Sequence, residues 1–335
     1  MSRLQISVLL ALVVGLLFAV GAAKPSESAH GLLLVANKAD HTVSIIDPES
    51  GTQTVVPESG ITAHELTASG HLAFAPIYGN SGVGRPGTDG THIDVIDIPS
   101  HKVVGNIDFG RGVRPHNAVL GPKDGLVYVT TELDQTVSVI DPATQKIVGI
   151  IGTGQPESHM LALSHDGKRG YTANVGPGTV SVLDVQARKQ ISVVKISATT
   201  QRISISPDDR MVFTADQTKP QLAVIETSSN KIKTWIPLPG TAFGTTATPD
   251  GHWLLATLPG ARQVAVIDLA TLKVARTIDV PSSPQEILVR PDGKIAYVSC
   301  DSSHKIAAIR TSDWTVDKLI DAGNGADGLA WAVGN

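Results

Sequence analysis

Seven short runs of this chain share a position that can do chemistry: "AHEL" (63–66), "PHNA" (115–118), "SHML" (158–161), "QRIS" (201–204), "FGTT" (243–246), "QEIL" (285–288) and "ADGL" (326–329). Their second residues are His64, His116, His159, Arg202, Gly244, Glu286 and Asp327. The chain has 11 histidines in 335 residues, so three in one column of seven is well above chance. Three converging imidazoles can hold Zn²⁺ or a similar borderline divalent ion and leave a fourth position open for water. Such an ion brings the pKa of its water toward neutrality and makes a nucleophile. Glu65 or Glu286 can then act as base, while Arg202 or Arg114 holds an anionic substrate. With His116, these are the catalytic candidates. Two other readings stay open: the same side chains contact a small polar ligand without metal, or duplication copied one structural histidine that bonds a neighbouring backbone.

The column exists because the chain repeats. "TVSVID" (136–141) returns as "TVSVLD" (179–184), and the series continues through Asp47, Asp97, Asp141, Asp184, Glu226, Asp268 and Arg310. The intervals are 50, 44, 43, 42, 42 and 42 residues. Each unit holds four Val- and Ile-rich runs bounded by Gly, Pro and Asp, which read as strands, and no helical period appears after residue 24. Four strands per unit of about 42 residues define a propeller blade. The expected fold is all-β: a seven-bladed β-propeller with four antiparallel strands per blade. The last run, "GLAWAV" (328–333), must pair with the first blade, since an open ring leaves strand edges unpaired. In "TVSVID", Val137 and Val139 should face one neighbouring blade, and Ser138 and Ile140 the other.

"LVYVTTELDQTVSVIDPATQKIVGIIGTG" (126–154) resembles the YVTN repeat of exported bacterial and archaeal propellers. The likeness covers roughly residues 31–334 and departs in the second unit and at "AAIR" (307–310). Related propellers include the lactonase type, which hydrolyses sugar lactones, and the haem domain of cytochrome d1. A Pro/Arg/His run leads into an inner strand of the lactonase type, so the resemblance makes Arg114 and His116 plausible site residues. The other lactonase landmarks are not evident, and the fold alone does not choose the function.

Blade topology puts the "PDG" turns and the "ID-x-x-T-x-K" turns on one face, where Asp47, Asp97, Asp141, Asp184 and Asp268 serve as local turn formers. The opposite face collects the irregular loops. Its largest insertion, "YGNSGVGRPGTDGTH" (78–92), reads either as a surface loop or as a lid over the channel mouth. As a lid it would offer Tyr78, Arg85 and His92 as ligand contacts, beside Arg114, Arg202, Glu286 and Asp327. Cys300 reads as core.

Residues 1–23 read as a secretory leader: one positive charge, the apolar run 6–20, then small residues. Residues 24–30 are a linker and 31–335 the propeller. The expectation is a periplasmic or secreted monomer with no membrane segment once the leader is removed. A formal net charge of −4 and four scattered Trp argue against nucleic acid. Three functions fit: an accessory protein holding a metal ion or small polar ligand, a lactone hydrolase or metal-assisted lyase using the same residues, or a scaffold for a partner protein.

Overall fold

The computed structural model describes residues 30–334; the leader and linker positions before His30, and Asn335, lie outside them. Twenty-eight strands, from β1 (Gly31–Asn37) to β28 (Ala326–Val333), form seven four-stranded sheets. Six sheets take their strands in chain order, while the seventh runs β28-β1-β2-β3, with β2 (Thr42–Ile46) and β3 (Gln53–Pro57) outermost. Leu33 faces Trp331 and Val35 faces Leu329 across that closure. The ring is therefore shut by pairing the two ends of the described chain, as the repeat count requires.

Blades pack face to face through the alternation seen in the sequence. In β10 (Thr136–Asp141), Val137 and Val139 join Ile151, Leu161 and Leu183 on the side of the next blade. Ile140 joins Phe74, Ile93 and Val95 of the preceding one. All three are essentially inaccessible to water, and each contributes about 1.5–3 kcal/mol by burial. The turn aspartates do local work: Asp141 Oδ1 accepts the Ala143 amide at 2.9 Å, Asp47 that of Glu49 at 2.8 Å, and Asp268 that of Thr271 at 2.8 Å.

The inner strands are β4 (Thr67–Ser69), β8 (Pro115–Leu120), β12 (Ser158–Leu163), β16 (Thr200–Ile205), β20 (Thr245–Ala247), β24 (Pro284–Val289) and β28. Their pairing to the second strand slips at the start. The register shifts between Pro115 and Ala118, Ser158 and Met160, Thr200 and Ile203, and Pro284 and Ile287. His116, His159, Arg202 and Glu286 thus sit inside bulges, which re-aim a side chain relative to its strand. Strands β4 and β20 begin only after His64 and Gly244. Threonine hydroxyls knit these irregular starts together: Thr130 Oγ1 accepts the Asn117 amide at 3.0 Å and donates to the His159 carbonyl at 2.7 Å. At Gly244 a Cβ would lie 2.2 Å from the Gln285 carbonyl oxygen, so the column holds glycine there because two strands touch.

Candidate functional site

The column divides into two groups. On one side Arg202 reaches across the channel from β16. Its Nη1 donates to Glu65 and to Glu286, and its Nη2 donates to Asp327 Oδ1 at 2.8 Å. Lys38 Nζ adds an ion pair to Asp327 Oδ2 at 3.0 Å and a longer one to Asp301 at 3.4 Å. The guanidinium carbon lies 4.8 Å from the centre of the Phe243 ring. Arg202 is 3% exposed, so this is a buried junction of four blades that closes the channel. Burial raises the carboxyls of Glu65 and Glu286, against the opposing pull of Arg202. Asp327 stays below the usual carboxylate range because Arg202 and Lys38 outweigh its burial.

On the other side the imidazoles meet a phenol. The His64 and Tyr78 rings lie 4.8 Å apart, those of His64 and His116 5.2 Å, and those of Tyr78 and His116 5.1 Å. His116 stacks on His159 at 3.5 Å. Glu132 fixes two members: Oε1 takes His159 Nδ1, and Oε2 accepts the Tyr78 hydroxyl at 2.7 Å. His159 Nε2 lies 3.1 Å from Gln201 Nε2. Burial pushes the His64 imidazole down to about 3 and that of His116 well below its ordinary value, so both are neutral at pH 7. His116 Nδ1 is buried with no hydrogen-bond partner.

Above this group lies the insertion. Strand β5 (Leu72–Gly79) carries Tyr78 into it, and β6 (Asp89–Asp97) leads out. Arg114 staples the loop between them: Nε bonds Asp89 Oδ1 at 2.6 Å, Nη2 the Arg85 carbonyl at 2.7 Å, and Nη1 the Gly82 carbonyl at 3.4 Å. A pocket of 290 Å³ on one flank is lined by Lys38, His41, His64, Asn80, Ser81 and Asp301. One of 360 Å³ on the other is lined by Arg85, Arg114, Glu132, Leu133 and Glu157. Ser81 Oγ is buried without a partner.

The sequence-derived candidates therefore fall in four places. His64, His116, His159 and Tyr78 come together. Glu65, Arg202, Glu286 and Asp327 come together but bind one another. Both terminal nitrogens of Arg202 are taken within the junction, which leaves no free fork for an anion. Arg114 holds the loop's backbone, and Arg85 is exposed at the rim of the second pocket. His92 stands apart from the imidazole group, in β6 beside Ser59 (3.0 Å) and Asp94 (3.4 Å). The three column histidines do not aim at one point, because His116 and His159 stack and His159 is engaged at both nitrogens. Among the described residues no group of three or more His, Cys, Asp or Glu is placed to hold a metal ion. Sequence reasoning missed Glu132, Lys38 and Asp301. All three occupy the position just after their blade's second strand, and their charge in that column was the available signal.

Fold and site define a seven-bladed propeller with an occluded channel and an imidazole group under a pinned loop. Known families agree with that class. A lactonase, 7-bladed beta-propeller, family model matches residues 87–233, and a YNCE-like beta-propeller model matches residues 175–292. No curated protein sequence matches the chain. Among solved structures, hydrazine synthase of Kuenenia stuttgartiensis is 17% identical with a TM-score of 0.72, covering 88% of this chain and 99% of that one. A putative 6-phosphogluconolactonase from Bacteroides uniformis is 12% identical with a TM-score of 0.71, covering 90% and 99%. At these identities the likeness is one of fold.

Proposed function

We propose that this propeller is an exported binding protein that takes a small, uncharged polar ligand, without metal, at the mouth pocket beside the loop 80–88. One observation carries the reading: the neutral imidazole of His64 and the buried, unpartnered hydroxyl of Ser81 line the same pocket. A buried polar atom without a partner costs about 1–3 kcal/mol, which a ligand that bonds it returns to binding. Neutral imidazoles suit a ligand with both donors and acceptors, such as a polyol or sugar derivative. The charged groups around them are already paired.

A second reading, lactone hydrolysis, is favoured by the lactonase match across Arg114, His116, His159 and Arg202. Calorimetric titration of the mature chain with glucono-1,5-lactone, gluconate and a neutral hexitol, together with pH-stat assay of lactone opening, separates the two. The binding reading expects heat of binding to at least one neutral probe, weakened at least tenfold in His64→Ala, and no opening above the spontaneous rate. Opening that is lost in a folded His116→Ala variant would establish the hydrolase instead. No binding and no turnover would remove both, leaving a scaffold for a partner protein.

A further inference from the structure

The channel below the Arg202 junction is a separate cavity. It is a well of about 760 Å³ that runs along the inner strands to His165, Pro207 and Pro249 of the strand-one to strand-two turns. Glu65 and Glu286 lie at its inner end, followed by Leu66, Leu161, Ile203, Ile287 and Leu329, with Trp331 further along β28. That volume suits a ligand of small-molecule size, and the lining mixes apolar side chains with Thr67, Asn117, Ser204, Thr245 and Thr246.

The inner end carries a charge imbalance. A single guanidinium serves three carboxylates, Glu65, Glu286 and Asp327. Lys38 answers Asp327 but meets a fourth carboxylate, Asp301, as well. Two cations thus face four acids, and both acids with the weaker compensation, Glu65 and Glu286, border the well. Asp327 and Asp301 do not line it. An excess of acids over cations in a largely buried cluster is met by a proton or by a cation, and the raised carboxyls of Glu65 and Glu286 are where either is taken up. Glu286 is the accessible one, its side chain 18% exposed against 4% for Glu65.

From this we infer that the well is a binding site for an organic ammonium ion, whose head sits at the Glu65–Glu286 end and whose hydrocarbon body lies along the apolar walls. It stands apart from the mouth site, on the opposite side of Arg202, and does not depend on it.

Titrating propyl- to hexylammonium, hexanol and hexanoate into the mature chain at pH 7 tests the inference by calorimetry. Hexylammonium should bind at least tenfold more tightly than hexanol, and hexanoate should not bind. Affinity should rise about fourfold for each methylene added. Glu286→Gln should weaken hexylammonium at least tenfold; should that variant not fold, the head-group and chain-length series in the wild-type chain decide. Equal binding of hexanol and hexylammonium would overturn the charged end. Binding of ammonium ion alone as tight as hexylammonium would overturn the apolar body.

Discussion

Arg202 and His116 occupy the same column of the repeat and the same kind of bulge, yet their surroundings are opposite. Around Arg202, three carboxylates take both terminal nitrogens, and only Nε is left buried without a partner. Around His116, a ring nitrogen and, nearby, the Ser81 hydroxyl have no partner. Buried polar groups are normally bonded, so the dense ion-pair network reads as structure, whereas the unpartnered Ser81 hydroxyl, which lines a pocket with His64, reads as a place a ligand can bond. Arg202, Glu286 and Asp327 use the column to form the buried junction. His64, His116 and His159 use it to gather beside the loop, where the proposed site lies.

The largest test of that contrast is Arg202→Met. It strands three buried carboxylates, and unfolding in urea should show a loss of about 3–5 kcal/mol. His64→Gln, by contrast, should fold nearly as well as the parent at pH 7 while losing the mouth ligand. Equal damage from both would erase the distinction between junction and site.

A smaller effect sets the imidazole group apart by pH from Glu58, a buried carboxyl outside both regions whose Oε2 accepts the Ala63 amide at 3.0 Å. Unfolded, an imidazole takes a proton near pH 6.5; folded, His64 does so only near pH 3. Its contribution is therefore full above pH 6.5 and lost as pH falls toward 3, and the lowered His116 acts in the same direction. Glu58 has the opposite sign. Burial pushes its carboxyl up to about 8 from 4.5, so its contribution is full below pH 4.5 and lost as pH rises through 8. Urea midpoints measured from pH 3 to 9 should flatten on the acid side in His64→Gln and on the alkaline side in Glu58→Gln.

The smallest effect concerns the loop. Arg114→Ala removes three bonds to the 80–88 backbone and its surroundings, and should cost about 1 kcal/mol in global stability. Amide exchange in that loop should accelerate roughly tenfold while the blades stay protected. Unchanged exchange would mean that the loop is held by its own packing.

Much of this was legible in the sequence. Seven blades, ring closure, the turn aspartates and the two faces of "TVSVID" follow from period and alternation, which are local properties. The column was legible too, including the gathering of His64, His116 and His159. What each member touches was not. Bulges turn His116, His159, Arg202 and Glu286 away from the direction strand alternation gives them. The partners of Arg202 come from across the ring, at separations of 137, 84 and 125 residues. Arg114 looked available for a substrate because its real acceptors, the Arg85 and Gly82 carbonyls, belong to an irregular loop. His92 was drawn into the candidate set by proximity in sequence, whereas β6 carries it down into the blade.

The most direct measurement follows the side chains of both regions at once. In ¹⁵N-labelled protein at pH 7, the imidazole nitrogens of His64 and His116 and the Arg202 Nε are recorded by NMR while the neutral ligand identified by calorimetry is added. The account predicts neutral imidazoles whose shifts move with saturation, and an Arg202 Nε that stays in place. Movement at Arg202 with static histidines would contradict it, because the ligand would then be entering the junction rather than the site beside it.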